Sequence, residues 1–75
     1  MMGIEESLEL LKAHPTRWLT VTEVTTMLNE SGFSISNGSV RKSLKILKKR
    51  NLANIRMSPR VLKAFEFKIS DHRGV

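Results

Sequence analysis

Ser36-Asn37-Gly38-Ser39-Val40-Arg41-Lys42-Ser43-Leu44-Lys45-Ile46-Leu47-Lys48-Lys49-Arg50-Asn51-Leu52 is the stretch that decides the fold. Val40, Leu44 and Leu47 recur at i, i+4 and i+7, which is the spacing of one helix face. Ser36 or Asn37 offers a side-chain cap for its first turn. At about 100° per residue, Lys42, Lys45 and Lys49 point away from that apolar stripe, with Arg41 beside them. The spacing predicts an amphipathic helix from Asn37 to about Asn51, greasy on one side and basic on the other.

The charge around this helix is sorted in the same way. No acidic residue occurs between Glu30 and Glu66. Arg41, Lys42, Lys45, Lys48, Lys49, Arg50, Arg56, Arg60 and Lys63 are nine of the chain's 13 basic residues. Residues 1–36 instead hold Glu5, Glu6, Glu9, Glu23 and Glu30 against Lys12 and Arg17. A helix stabilised for its own sake mixes signs at i±3 and i±4. A run of one sign points to a polyanionic partner rather than to a solvated face.

Working outward, Thr20-Val21-Thr22-Glu23 is a capping box, with Leu19 and Val24 at the two positions of a hydrophobic staple. It opens a helix whose buried stripe is Val21, Val24 and Leu28, with Met27 beside it. Gly32 is placed to end that helix in the left-handed conformation. Upstream, Ile4, Leu8 and Leu11 form another stripe, from Ile4 to Ala13, and Pro15 stops it. Arg17-Trp18-Leu19 reads as a short extended stretch. Downstream, Leu52 to Met57 and Val61 to Ile69 read as two strands broken at Ser58-Pro59-Arg60. In the second, Phe65, Phe67 and Ile69 alternate with Glu66 and Lys68, so the phenylalanines are expected in the core and Glu66 in solvent. Phe33 is likewise expected in the core, and Trp18 is expected to pack on the strands.

The order helix, short strand, helix, helix, hairpin resembles the winged helix-turn-helix superfamily. The residues that carry the likeness are Leu19 to Val24 and Ser36 to Leu52, and the pattern is similar to that of small prokaryotic regulators of the MarR, PadR and ferric-uptake-regulator type. Two departures stand out: Phe33 to Ser36 lengthen the turn before the third helix, and Asn51 stands where those families usually have Gly. The resemblance implies an α+β, mainly α fold, with three helices plus a C-terminal β-hairpin wing. Residues 1–69 would form one domain and residues 70–75 a flexible tail.

The resemblance also implies a function: a double-stranded DNA-binding protein, a transcriptional regulator. The third helix would lie in the major groove, with Asn37, Ser39, Arg41 and Lys42 toward base edges. Lys45, Lys48 and Lys49 would meet phosphates. Arg56, Arg60 and Lys63, around the tip of the wing, would reach the neighbouring backbone or the minor groove. Thr20 and Thr22 would present a helix N-terminus to a phosphate. The alternatives are a winged helix that binds an acidic protein partner and a phage or plasmid DNA-architectural factor.

Other chemistry finds little support. With no cysteine there is no thiol chemistry and no disulfide. His14 and His72 have no second ligand at suitable spacing, and Glu5, Glu6 and Glu9 have no basic catalytic neighbour, so no metal and no cofactor are expected. No nucleophile elbow, phosphate loop or triad spacing is visible, and the chain is read as a non-enzyme. At 75 residues the core must be small. No signal peptide or membrane span is expected, and the simplest compartment is the cytoplasm. With little beyond the domain to dimerise through, a monomer or weak homodimer is expected.

Overall fold

The structure is a computed structural model that describes residues 3–70. The expected tail at 70–75 therefore lies, apart from Ser70, outside the described residues. The elements follow the predicted order: α1 (Ile4–Ala13), β1 (Leu19–Thr20), α2 (Val21–Glu30), α3 (Asn37–Lys49), β2 (Ala53–Met57) and β3 (Phe65–Ile69). The sheet is antiparallel in the order β1-β3-β2. The extended stretch before α2 is thus a third strand: Leu19 pairs with Phe67, and Thr20 with Glu66.

The three apolar stripes meet in one core. Leu11 from α1, Val24 and Leu28 from α2, and Val40, Leu44 and Leu47 from α3 are buried against Leu19, Ala53 and Phe67 of the sheet. α3 is the central element, packed on α1, on α2 and on β2. Its apolar face is consumed by this packing, which leaves its basic face outward.

The helix ends explain how the connections hold. Ser36 accepts from the Ser39 amide at 3.3 Å, so it, rather than Asn37, caps α3. α2 ends with Gly32 at φ 102°, and the amides of Gly32 and Phe33 donate to the carbonyls of Asn29 and Leu28. α3 ends in the same way, two residues earlier than the sequence suggested. Asn51 takes φ 62°, and the amides of Asn51 and Leu52 donate to Lys48 and Leu47. These are two Schellman motifs, and Asn does at the second what Gly does at the first. The long turn between α2 and α3 is clamped by Asn29, whose amide nitrogen donates to the Ile35 carbonyl and whose oxygen accepts from the Ile35 amide. Phe33, expected in the core, stays largely exposed because it follows the Gly32 turn onto the surface.

The hairpin departs from its predicted register of burial. The strand expected from Val61 begins only at Phe65, because Val61–Ala64 belong to the turn. Phe67 faces the core, but Phe65 is half exposed, and Glu66, expected in solvent, is completely buried. Phe65 lines the groove between the wing, α3 and the N-terminus of α2 instead of entering the core. The opposite face is closed by side chains from the wing itself.

Two small residues at the start of α1, its N-cap Gly3 and Ser7, occupy tight, buried positions. Gly3 adopts φ 105°, and a Cβ there would sit 2.7 Å from Ile35 Cδ1 and 3.0 Å from Ser43 Oγ. Ser7 is fully buried, and its hydroxyl has no hydrogen-bond partner among the described residues. Gly3→Ala is expected to destabilise the fold by more than about 1 kcal/mol, through strain and overlap. Ser7→Ala is expected to stabilise it by about 1 kcal/mol by removing an unpaired buried hydroxyl, a rise of roughly 4–8 °C in Tm for a domain of this size. Thermal unfolding followed by circular dichroism checks both signs.

Candidate nucleic-acid interface

The face of α3 turned from the core is a ladder of cations. Arg41, Lys42, Lys45, Lys48, Lys49 and Arg50 are all exposed. None of them forms an ion pair among the described residues. Asn37 is exposed at the start of this face, its side chain released from capping by Ser36. Ser39 is half-buried, and its hydroxyl accepts from Ser36 Oγ at 3.3 Å.

Beside this ladder lies a groove of about 840 Å³ between α3, the N-terminus of α2 and the wing. Asn37, Arg41 and Lys45 line it on the helix side, Thr22 at the end of α2, and Lys63 on the wing. The floor is apolar, with Val21, Ile55, Phe65 and Phe67 contributing. Of the expected binding residues, Asn37, Arg41, Lys45, Lys63, Thr20 and Thr22 are thereby brought to one concave surface, which Lys42 does not line. Lys49 lies at the far end of α3.

Thr20 has a structural task. Its hydroxyl accepts from the Glu23 amide at 3.1 Å, and Glu23 Oε1 accepts from the Thr20 amide at 2.9 Å, which completes the predicted capping box. Thr20 is buried, whereas Thr22 is exposed.

Arg60 lies in the turn of the wing and Arg56 near the end of the strand that leads to it, around the tip as expected, but their side chains are engaged in ion pairs. Both fold back over the outer face of the sheet onto Glu66. Arg60 donates through Nε and Nη2 to Glu66 Oε2 at 2.9 and 2.6 Å, and through Nη1 and Nη2 to Glu23 at 3.1 and 2.9 Å. It also reaches the Trp18 carbonyl at 3.3 Å. Arg56 Nε donates to Glu66 Oε1 at 2.8 Å, and its guanidinium lies 4.4 Å from the centre of the Trp18 ring. Lys68 approaches the same ring at 5.7 Å. Trp18 therefore packs on the strands as expected, but as a platform for cations.

Ser58 completes the cluster. Its hydroxyl donates to Glu66 Oε2 at 2.9 Å and accepts from the amides of Arg60 and Val61 at 3.1 and 3.0 Å. The Pro-containing break is thus a serine-centred turn tied to a buried carboxylate. No local sequence signal joins Glu23, Arg60 and Glu66. The buried position of Glu66 breaks the strand alternation, and that break is the one clue that pairing, not periodicity, governs it.

These bonds fix the charges. The hydrogen bond from Arg60 draws the Glu23 carboxyl down to about 2 from the ordinary 4.5, against the opposing effect of burial and with help from the Thr20 amide. Burial alone would raise the Glu66 carboxyl, but the hydrogen bonds from Arg60, Arg56 and Ser58 prevail and hold it below its ordinary value. Arg60 is correspondingly held more firmly protonated by Glu23 and Glu66. Both carboxyls are depressed in the folded state, so their stabilisation is present above the ordinary value of 4.5 and is lost as the pH falls below it, for Glu23 down to about 2. Unfolding free energies measured from pH 7 down to 2 should fall through this window. Arg60→Ala should be less stable at pH 7 and show a shallower decline through the same window, because the two carboxyls lose the cation that depresses them.

Among the described residues, no three His, Cys, Asp or Glu side chains come together in a way that would hold a metal ion. No helix among them is long and apolar enough to cross a membrane. No protein-family model matches the chain, and a search of curated proteins finds no match. Among solved structures, the chain is similar to the ferric uptake regulator from Francisella tularensis, solved with iron. The TM-score is 0.81 at 14% sequence identity, over 96% of this chain and 53% of that one. The chain thus spans about half the length of that regulator. At this identity the likeness speaks for the fold. The three helices, the three-stranded sheet and the hairpin after α3 have the arrangement of a winged helix.

Proposed function

We propose that this protein binds double-stranded DNA as a transcriptional regulator, inserting α3 into the major groove and setting the wing along the adjacent backbone or minor groove. The observation that carries the reading is the face of α3. Five cations of α3, and Arg50 at its C-cap, stand exposed and free of ion pairs among the described residues, on a helix whose opposite face is locked into the core. A rigid helix is what base reading demands, since the side chains must be held in register with the base edges. The fold likeness to a DNA-binding type of regulator adds support, and the narrower resemblance to MarR- and PadR-type regulators belongs to this proposal.

The roles divide by position. Asn37, released from capping, and Arg41 and Lys42 are placed to read bases; a guanidinium suits guanine O6 and N7, and a carboxamide suits adenine N6 and N7. Lys45, Lys48 and Lys49 take phosphates. Lys63 extends the contact on the wing, and Thr22 does so at the N-terminus of α2, where free amides and the helix dipole favour an anion. Ser39 supports the base-reading turn. Arg56, Arg60 and Thr20 contribute by holding the wing and α2 in place. On this reading the protein acts in the cytoplasm as a monomer or weak homodimer, with residues 1–69 as the working domain, and needs neither cofactor nor catalysis.

A second reading has one observation of its own. Met57, Leu62 and Phe65 are exposed on the wing, which would suit an acidic protein partner with apolar side chains.

Fluorescence anisotropy with duplex DNA, single-stranded DNA and duplex RNA across a salt series tests the choice. Duplex DNA should be preferred, with log affinity falling against log salt by about 0.9 for each phosphate neutralised. Arg41→Ala and Lys42→Ala should each reduce discrimination between sites by about 1–3 kcal/mol. Lys45→Ala and Lys63→Ala should weaken all duplexes evenly and lower the salt slope by about one each. Absence of duplex binding at low salt would reject the DNA reading and select the acidic partner.

A further inference from the structure

The tip of the wing is apolar where a phosphate clamp would be basic. Arg56 and Arg60 are drawn inward by Glu66, and what remains outward is Leu62 at 88% exposure, Met57 at 64%, Phe65 at 50% and Val61 at 46%. Met57 and Phe65 are partners in the β2–β3 ladder, so their side chains share one face. Leu62 projects from the turn beyond them.

The turn that carries Leu62 is built to hold it there. Ser58 accepts from the amides of Arg60 and Val61, the Ser58 amide donates to the Ala64 carbonyl at 2.8 Å, and Lys63 takes φ 60°. Positive φ at a lysine costs energy and persists where the surroundings impose it. The turn is further anchored through the Ser58 hydroxyl to buried Glu66. Exposing a leucine on a braced turn wastes apolar area unless something covers it. Its chain neighbours Val61 and Lys63, together with Phe65, line the cationic groove with Arg41 and Lys45, a field that draws an anionic duplex toward the wing.

Resting on the duplex-DNA reading above, we propose that Leu62 is an apolar wedge. It enters the minor groove beside the major groove held by α3 and partly unstacks a flexible pyrimidine–purine step, bending the DNA. Leucine is among the side chains able to act this way, and TA and CA steps are the ones most easily opened. Lys63, next in the chain, pairs with the flanking phosphate. Met57, Val61 and Phe65 lie against the deoxyribose walls once the wedge is seated. Glu66 and Glu23 engage Arg56 and Arg60, which leaves Lys63 as the cation beside the apolar tip without an ion pair among the described residues.

The test uses a duplex of about 25 base pairs with one central TA step, a fluorescence-transfer pair at its ends and 2-aminopurine at the step. Binding of the unaltered protein should shorten the end-to-end distance, as a kink of roughly 20–90° requires, and should brighten the 2-aminopurine. At saturation Leu62→Ser should abolish both signals while weakening affinity by up to about tenfold. Its circular dichroism should be unchanged, since the side chain is outside the core. Lys45→Ala should lose affinity yet retain the bend at saturation. A bound duplex that stays straight, or a Leu62→Ser complex that bends fully, overturns the wedge and leaves the DNA reading standing. If the unaltered protein binds no duplex at low salt, both fall, and the apolar tip is left to a protein partner.

Discussion

A buried carboxylate in so small a protein has to be neutralised on the spot, and the way Glu66 is neutralised organises one side of this molecule. Glu66 sits in β3, the central strand, with no exposed surface. Removing an ion from water is expensive unless hydrogen bonds and opposite charge replace the lost hydration. Here Arg56 comes from the neighbouring strand, while Ser58 and Arg60 come from the turn. The same Arg60 continues to Glu23, which is already engaged in capping α2. One chain of charge-assisted bonds thus connects the wing, the central strand and the N-terminus of α2.

That connection has consequences for the surface. The wing is joined to the rest of the fold by the β1–β3 pairing and by this network, which ties its turn to the central strand and to the N-terminus of α2. It also decides which cations are free. A residue type that suits phosphate binding is spent on internal structure at Arg56 and Arg60, while the cations of α3 have no acidic neighbours to spend themselves on. The division between structural and available charge is therefore made by three carboxylates and their absence elsewhere: Glu23 and Glu66 in the network, Glu9 with Lys12 on α1, and none between Glu30 and Glu66.

The helical layer complements this. Gly3 lets the start of α1 approach Ser43 of α3 closely, two Schellman turns end α2 and α3 without demanding extra chain, and Asn29 clamps the long connection between them. Each device is local, and each constrains α3, the element whose outer face carries the cations. Rigidity of that face is then a property of the whole domain rather than of the helix alone.

Local chemistry made much of this legible in the chain. The stripes at i, i+4 and i+7 specified three helices and the faces they bury, because helical periodicity depends only on neighbouring residues. The capping box at Thr20–Glu23 and the left-handed conformation at Gly32 and Asn51 were readable for the same reason. So was the basic face of α3, since it is the complement of its apolar stripe. Tertiary structure alone decided the fate of the hairpin. Period-two alternation assigned Glu66 to solvent and Phe65 to the core, but Phe65 opens into the groove beside α3 and Glu66 is drawn into a charge network. The partners that draw Glu66 inward are 6 and 10 residues away along the chain, and Glu23, which shares Arg60 with it, is 37 residues from that arginine. Burial and charge pairing across such distances depend on which surfaces meet, and no local pattern encodes that meeting.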